Sequence, residues 1–154
     1  MRVVLQRVSW AQVAVGGRLI ARIDAGLLAL VAVAHDDDRA RVEALAGKTA
    51  RARLFHGDER PFAAPVGADP ARAILCVSQF TLLGDLRRGN RPSWSRAAPP
   101  ERAEPLFEAY QEELRAAGLR VASGVFGAHM EVSLLNDGPV TLVLDSDELE
   151  RPRR

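Results

Sequence analysis

Cysteine is almost missing from this sequence, because Cys76 is the only one in 154 residues. A single cysteine cannot form a disulfide within the chain, nor can it supply a Cys-x-x-Cys pair for metal or redox chemistry. Its neighbours Ile74, Leu75 and Val77 are apolar, which predicts a buried strand thiol that behaves as a small hydrophobe. A disulfide framework is therefore excluded, and a reducing compartment is expected.

An excess of charge of one sign is missing as well. The chain has 21 Lys+Arg against 20 Asp+Glu, for a formal net charge of +1. Such a balance gives no overall attraction to nucleic acid or to a membrane surface. Any RNA-binding site must therefore be a local patch.

Long hydrophobic runs and a targeting segment are also missing. The longest apolar run, residues 26–34, is too short to span a bilayer as a helix. The first five residues form a strand-like run with no charged n-region, h-region or cleavage site, so export is not expected. We expect a soluble cytoplasmic protein with one domain over residues 1–146 and a charged, frayed tail over residues 147–154.

The common catalytic and metal-binding patterns do not occur. His35, His56 and His129 lie in separate segments without the spacing of zinc ligands, so ordinary structural roles are favoured for all three. No G-x-S-x-G, P-loop or dinucleotide fingerprint is found, which leaves Ser-His-Asp catalysis open only through spatial convergence. Neither a metal nor a cofactor is expected.

The apolar pattern predicts strands and two helices. Gly16-Gly17 between apolar runs predicts a hairpin, and the continuous run of residues 26–33 predicts a central strand covered on both faces. Asp36-Asp37-Asp38 offers an N-cap to a first helix, and the apolar spacing of residues 103–114 predicts a second one that begins near Glu104. With C-terminal strands at 130–134 and 140–144, the order indicates an α/β protein with mixed sheets and two main helices on one side.

A polar cluster, Ser78-Gln79-Phe80-Thr81-Leu82, follows the apolar strand that contains Cys76. One interpretation is a strand end whose side chains satisfy the backbone of a turn. The other is the mouth of a pocket, where freed backbone N–H groups could hold an ester oxygen at roughly 3–4 kcal/mol per donor. The residues alone leave both open.

A second segment, Asn136-Asp137-Gly138-Pro139, lies between the two C-terminal strands. It is either a plain turn or a place where a cis peptide forms, because a bond before proline adopts cis at a cost of about 0.5–1 kcal/mol. A cis bond would point two carbonyl groups in the same direction.

Together, SQFTL at 78–82 and NDGPVT at 136–141 resemble the two signature motifs of the D-aminoacyl-tRNA deacylase family. Residues 4–8, 26–28, 33–37, 89–94 and 124–128 are similar to that family in order and spacing. The loop from Asp58 to Asp69 departs from it, with Pro61-Phe62-Ala63-Ala64 where the family has a Met-Asn-like stretch. His129 also stands where other residues are common.

The resemblance implies a three-layer β/β/α fold and a homodimer with an active site at each subunit interface. The SQFTL segment of one chain would meet a Gly138-cis-Pro139 turn inserted from the other. The two carbonyls of that turn would crowd the Cα of the substrate, so that L-amino acids are rejected while D-amino acids and glycine fit. The implied reaction is hydrolysis of the ester of D-aminoacyl-tRNA, and of mischarged glycyl-tRNA, without metal or cofactor.

The resemblance also implies roles for individual residues. Phe80 and Thr81 would act through backbone N–H groups, and Ser78 and Gln79 would hold the terminal adenosine or scaffold the pocket; Thr81 as a nucleophile is the rival mechanism. Chiral selection is assigned to Gly138 and Pro139, to Arg7 as their hydrogen-bond partner, and to Asn136, Phe126, Ala128 and Met130. The charges of the loop carrying Arg87, Arg88, Arg91, Trp94 and Arg96 leave two interpretations open, a solvated surface loop and a site that contacts phosphates of the tRNA acceptor stem. A nucleic-acid-binding module without catalysis and a small-molecule esterase remain as alternatives.

Overall fold

Six strands and three helices make up the described part of the chain, residues 1–57 and 60–149 of this computed structural model. The strands are β1 (Arg2–Val15), β2 (Arg18–Ile23), β3 (Gly26–Ala32), β4 (Ala73–Ser78), β5 (Val121–Ser123) and β6 (Glu131–Asp145). The helices are α1 (Arg39–Arg51), α2 (Pro100–Ala116) and α3 (Ser146–Leu149), with 3-10 turns at Val66–Ala68 and Phe80–Leu83.

All six strands belong to one mixed sheet that is organised around β1. Strand β1 pairs antiparallel with β2, β3 and β6, and the order continues in parallel from β3 to β4 and from β4 to β5. Strand β3 therefore lies between β1 and β4, as its continuous apolar run predicts. The mixed α/β class is confirmed.

The two faces of the sheet are covered by different layers. On one face Leu27 and Ala29 join the core that α1 and α2 cover, which includes Leu45 and Tyr110. On the other face Leu28 packs with the far half of β1 and with side chains of β6. Successive residues of β3 point to opposite faces, so one strand serves both cores. The predicted three-layer arrangement with the main helices on one side is confirmed.

Local signals in the first third of the chain are confirmed by the structure. Gly16 and Gly17 form the hairpin turn at φ values of 57° and 76°, where a Cβ would be strained. The Asp38 carboxylate accepts from the amide of Arg41 at 3.0 Å and caps α1. Short-range signals of this kind depend only on neighbouring residues.

Helix α2 begins earlier than predicted. It starts at Pro100, not near Glu104, and Pro105 lies inside it. Pro105 has no N–H to donate to the Glu101 carbonyl. Glu101 is exposed in the first turn, so a water molecule can donate to that carbonyl instead. The three-residue strand β5 was not predicted, because so short a segment shows no periodicity.

The C-terminal strands also differ from the prediction. Instead of two strands joined by a turn, β6 is one strand whose two halves both pair with β1. Val8 is opposite Asn136 and Gln6 is opposite Thr141, so that residues 137–140 bulge out opposite Arg7. The chain does not reverse direction there, and we call residues 137–140 the bulge.

Of the tail predicted over residues 147–154, the structure describes residues 147–149. Ser146–Leu149 form the short helix α3, and the Asp147 carboxylate lies 3.1 Å from the Arg41 guanidinium of α1. The Ser146 hydroxyl accepts from the Met1 amino group at 2.6 Å. Residues 150–154, which complete the predicted tail, lie outside the described residues.

Candidate active site

A pocket of about 490 Å³ opens beside the C-terminal ends of β3 and β4. These two strands are parallel, so their ends lie at the same edge, with Val31 opposite Ser78. The pocket wall combines residues from β3, β4, α2 and the approach to β6: Val31, Ala32, Val33, Val77, Ser78, Gln79, Phe80, Ala97, Ala98, Pro100, Ala103, Phe107, Phe126, Gly127, Ala128, His129, Met130 and Val132. Six of the predicted site residues therefore line one cavity although they are distant in sequence.

The backbone leaves the sheet at the mouth of this pocket. The amide of Gln79 makes the last bond to β3, donating to the Val31 carbonyl at 2.7 Å. The chain then enters the 3-10 turn, in which Leu82 donates to the Gln79 carbonyl at 3.2 Å. The N–H groups of Phe80 and Thr81 precede these bonds and donate to no acceptor within residues 1–57 and 60–149. Two hydrogen-bond donors are thus free beside the pocket.

The side chain of Thr81 is held by an amide and not by a base. Its Oγ1 accepts a hydrogen bond from Gln79 Nε2. In the described part of the chain, no histidine or carboxylate is hydrogen bonded to the hydroxyl of Thr81 or of Ser78. A hydroxyl without a base is a weak nucleophile, so this geometry favours backbone donors over attack by Thr81.

The loop that carries Arg87, Arg88 and Arg91, called here the arginine loop, contacts this 3-10 turn through one aromatic pair. The rings of Phe80 and Trp94 meet edge to face with their centroids 5.4 Å apart. Gly84 makes the approach possible, because a Cβ there would lie 2.5 Å from Cζ3 of Trp94. The position of the loop is therefore coupled to that of Phe80.

The three predicted phosphate-binding arginines are not equivalent. Arg87 forms an ion pair with Asp85, its Nε lying 2.8 Å from Oδ2. Hydrogen bonds from the Arg87 side chain are the main reason why the pKa of Asp85 is lowered to about 2. Arg88 and Arg91 are exposed and have no carboxylate partner in the described part of the chain. They are the freer cations.

Arg7 is buried at the other predicted half-site, with 4% of its surface exposed. Its Nη1 donates to the Leu54 carbonyl at 2.5 Å. Its Nε lies 3.0 Å from Oδ2 of Asp137, an ion-pair distance at which the N–H is not aligned for a hydrogen bond. The guanidinium is thus fixed between the loop after α1 and the bulge.

Asn136 closes the base of the bulge. Its Nδ2 donates to the Arg7 carbonyl at 2.8 Å and to the Val140 carbonyl at 3.3 Å. Its Oδ1 accepts from the Thr141 hydroxyl at 3.2 Å. One amide side chain therefore joins both strands across the interrupted ladder.

The predicted cis bond between Gly138 and Pro139 is wrong. No cis peptide bond occurs in residues 1–57 and 60–149, so this bond is trans. Trans is the more stable isomer by about 0.5–1 kcal/mol. Gly138 makes the sharp change of direction instead, at a φ of 110°, and the Asn136 bonds close the bulge.

One chain does not bring the two predicted half-sites together. Gly138 and Pro139 are exposed and do not line the pocket of their own chain. Arg7 borders a separate, smaller cavity of about 250 Å³, together with Asp137. The described chain thus presents a pocket in one place and the bulge in another.

Several pocket residues were missed by the sequence reasoning. Ala103 and Phe107 lie on α2 with the spacing of core residues, and the ring of Phe107 packs 6.1 Å from that of Phe126. Helical periodicity does not separate a core wall from a pocket wall. His129 also lines the pocket, and its only signal was that other residues are common there in the similar family.

A metal site, a membrane-spanning helix or a reactive thiol would each indicate a different class of function in the described part of the chain. No group of three or more His, Cys, Asp or Glu side chains is placed to hold a metal ion there. None of the helices in residues 1–57 and 60–149 is long and apolar enough to cross a bilayer. Burial raises the pKa of the Cys76 thiol to about 12, so that it stays protonated.

Comparison with known proteins identifies the family. The model of the family described as D-Tyr-tRNA(Tyr) deacylase matches residues 4–145. The chain belongs to this family. The proteins named D-aminoacyl-tRNA deacylase from Kocuria rhizophila and Thermomicrobium roseum are 54% and 52% identical to it. The first alignment covers 100% of this chain and 99% of the relative, and the second covers 97% and 96%.

Solved structures have the same fold. One titled "c-Myc DNA Unwinding Element Binding Protein" is 37% identical, with a TM-score of 0.86 over 94% of this chain and 98% of the other. Another, titled as a probable eukaryotic D-amino acid tRNA deacylase, has a TM-score of 0.81 over 93% and 97% at 17% identity, and supports the fold alone. The prediction of a D-aminoacyl-tRNA deacylase, an ester hydrolase, is confirmed at the level of the family.

Proposed function

We propose that this deacylase hydrolyses the ester between a D-amino acid, or glycine, and the 3′ end of a tRNA. The observation that carries the proposal is the pair of free N–H groups of Phe80 and Thr81 beside an apolar pocket. Fixed donors of this kind stabilise the oxyanion of acyl transfer by about 3–4 kcal/mol each. They need no activated side chain, which agrees with a Thr81 hydroxyl that lacks a base.

The reaction is an ordinary ester hydrolysis. Water attacks the carbonyl carbon and loses a proton, and the carbonyl oxygen becomes an oxyanion held by the two N–H groups. The bond from the carbon to the ribose oxygen then breaks, and that oxygen takes up a proton. The neighbouring 2′-hydroxyl of the RNA is placed to relay protons, while Ser78 and Gln79 hold the terminal adenosine.

Chiral selection requires the bulge of a second copy of the chain. Strand β6 pairs only with β1 in the described part of the chain, so its other edge is open. Leu135 and Val143 are large exposed apolar side chains on that strand. Unprotected edge strands of this length attract another strand. A two-fold dimer through β6 would carry each bulge to the pocket of the other subunit.

The bulge would select by exclusion. With the Gly138–Pro139 bond trans, the exposed backbone at these two residues, placed beside the substrate Cα, would leave no room for an L side chain, whatever its size, while Phe126, Ala128 and Met130 line the other side. A D side chain points away, and glycine has none. A pocket that discriminated by fit would yield only about 1–3 kcal/mol per methylene. Backbone exclusion acts on every L-amino acid alike.

The arginine loop supplies tRNA affinity. Arg88 and Arg91 are exposed without carboxylate partners in the described residues, whereas the charge of Arg87 is partly offset by Asp85. Contacts with phosphates are independent of sequence and weaken with salt. We place the activity in the cytoplasm, where aminoacyl-tRNA is present and where a free thiol such as Cys76 stays reduced.

The decisive experiment is deacylation of matched D-, L- and glycyl-tRNA by the purified protein. Release of the D-amino acid and glycine, with the L-ester left intact, is expected. Hydrolysis of both enantiomers at similar rates would indicate a general esterase. Mixing a Phe80→Pro subunit with a Gly138→Ala subunit tests the shared site, because only a mixed dimer contains one pocket built from two intact halves.

A nucleic-acid-binding module without catalysis is the second candidate. It is favoured by one observation, the 37% identity to a structure titled as a DNA unwinding element binding protein. The deacylation assay separates the two, because a module would retain D-aminoacyl-tRNA on a filter without releasing the amino acid. Single-stranded DNA in the same filter assay serves as the comparison ligand.

A further inference from the structure

Phe62 has a backbone conformation that is unusual for its residue type. It is the only non-glycine residue with positive φ in residues 1–57 and 60–149, at 54°. Bulky L-residues rarely adopt this region, and such outliers concentrate at functional sites. Its ring is 54% exposed, so burial in the core does not explain why the strain is kept.

The ring of Phe62 lies over Arg7. The guanidinium carbon is 5.9 Å from the ring centroid, within the range of a cation–π contact. On its other sides the guanidinium meets the Leu54 carbonyl, Asp137 and Gly138. The Phe62 ring therefore covers the side of the Arg7 guanidinium that these groups leave open, and we call this ring the lid.

The backbone around Phe62 is held firmly enough to maintain the strain. The amide of Ala63 donates to the Phe55 carbonyl at 3.0 Å, and the amide of Phe55 donates to the Ala64 carbonyl at 3.0 Å. Phe55 follows Leu54, whose carbonyl accepts from Arg7. One small loop thus supplies both the acceptor beneath the guanidinium and the ring above it.

We propose that Phe62 is a positioning residue that sets chiral discrimination through Arg7. It does not contact substrate. Its ring keeps the Arg7 guanidinium against Asp137 and Gly138, so that the backbone of the bulge keeps one orientation. The proposal rests on the proposed function, since it assumes that the bulge separates D- from L-esters. It assigns a role to the loop that departs most from the family pattern.

The test compares variants that separate the effect of losing the aromatic ring from the effect of the strained backbone at Phe62. Phe62→Asn removes the ring but suits positive φ, and Phe62→Tyr keeps the ring. Leu19→Ala, which truncates a side chain that is 55% exposed on β2, is the matched control. We expect Phe62→Asn to lower the ratio of D- to L-ester kcat/KM about two- to five-fold, the range of one exposed cation–π contact. KM should not change, and Phe62→Tyr and Leu19→Ala should match the wild type.

Solvent exchange of the Arg7 Nε–H, followed by NMR, gives a readout that does not depend on activity. This N–H is buried without a hydrogen bond, so removing the ring should speed its exchange in Phe62→Asn but not in Leu19→Ala. Unchanged exchange, or faster exchange with an unchanged ratio, would overturn the proposal. If Phe62→Asn does not fold, Phe62→Gly serves in its place. A wild type that hydrolyses D- and L-esters equally would instead overturn the proposed function, while the exchange data would still report on the lid.

Discussion

Arg7 Nη2 occupies the space that a Cβ on Gly138 would need, because the two atoms would be 2.5 Å apart. The guanidinium is buried and cannot move toward solvent without leaving the Leu54 carbonyl. The shape of the bulge is thus set by a contact that only glycine allows.

Gly138→Ala should therefore displace the bulge and reduce deacylation of D-aminoacyl-tRNA at least tenfold. Positive φ alone costs about 1–3 kcal/mol of unfolding free energy. Gly89→Ala is the matched control for stability, since Gly89 has a φ of 122° and open space around it. Urea denaturation should show a larger loss for Gly138→Ala than for Gly89→Ala, and equal losses would mean that the Arg7 contact has no effect.

Arg7→Lys should lower the free energy of unfolding by about 1.5–3 kcal/mol, the usual value of a hydrogen bond to a charged group. Lysine keeps the charge but cannot reach the Leu54 carbonyl and Asp137 from one rigid fork. It should also relax discrimination against L-esters. Arg102→Lys, in which an exposed arginine bonds the Asp37 carbonyl at 2.8 Å, is the control and should retain selectivity.

Phe80→Pro should lower kcat about 10²–10³-fold relative to Phe80→Ala, the loss expected for one oxyanion donor. Both variants remove the ring, but only proline removes the backbone N–H. Proline suits the first residue of a helical turn, so the backbone can be kept. Single-turnover deacylation measures the difference, and similar rates for the two variants would remove this N–H from the mechanism.

Thr81→Val should retain kcat within about tenfold, because its Oγ1 serves only to accept from Gln79 and its N–H is kept. Thr81→Ser is the comparison, since it keeps the hydroxyl. A loss of several thousandfold in Thr81→Val that Thr81→Ser does not show would identify the hydroxyl as the nucleophile.

Arg88→Glu combined with Arg91→Glu should weaken tRNA binding and reduce the slope of log affinity against log salt by about two, one for each lost phosphate contact. Arg87→Glu should have a smaller effect, because Asp85 already offsets that charge. Arg18→Glu, an exposed charge change on β2, is the control. The D-to-L preference should stay the same throughout.

What could be predicted from the sequence depended on the range of the signal. The run over β3, the Gly16-Gly17 hairpin and the Asp38 cap are local, and all three were predicted. The continuity of β6 depends on both halves pairing with β1, which residues 131–145 do not encode by themselves. Predicting two strands there followed from treating Asn136 to Pro139 as a turn.

Some residues of the candidate site could be predicted from the sequence and others could not. Six residues were assigned through the family resemblance and lie around one pocket: Ser78, Gln79, Phe80, Phe126, Ala128 and Met130. Phe107 and Ala103 were not predicted as site residues, because helical periodicity shows which face of a helix is buried but not whether that face lines a core or a pocket. The strain at Phe62 has no signature in its residue type. Nor does a Gly-Pro pair reveal its isomer.

If the proposed function holds, the edge-to-face contact between Trp94 and Phe80 links tRNA binding by the arginine loop to the N–H donors of the 3-10 turn. An aminoacyl-adenosine lacks the acceptor stem, so it offers the arginine loop no stem phosphates to bind. Binding energy from remote parts of a substrate is then unavailable for holding the donors in place. We therefore expect such a fragment to be hydrolysed with a lower kcat than the full aminoacyl-tRNA, even at saturating concentration.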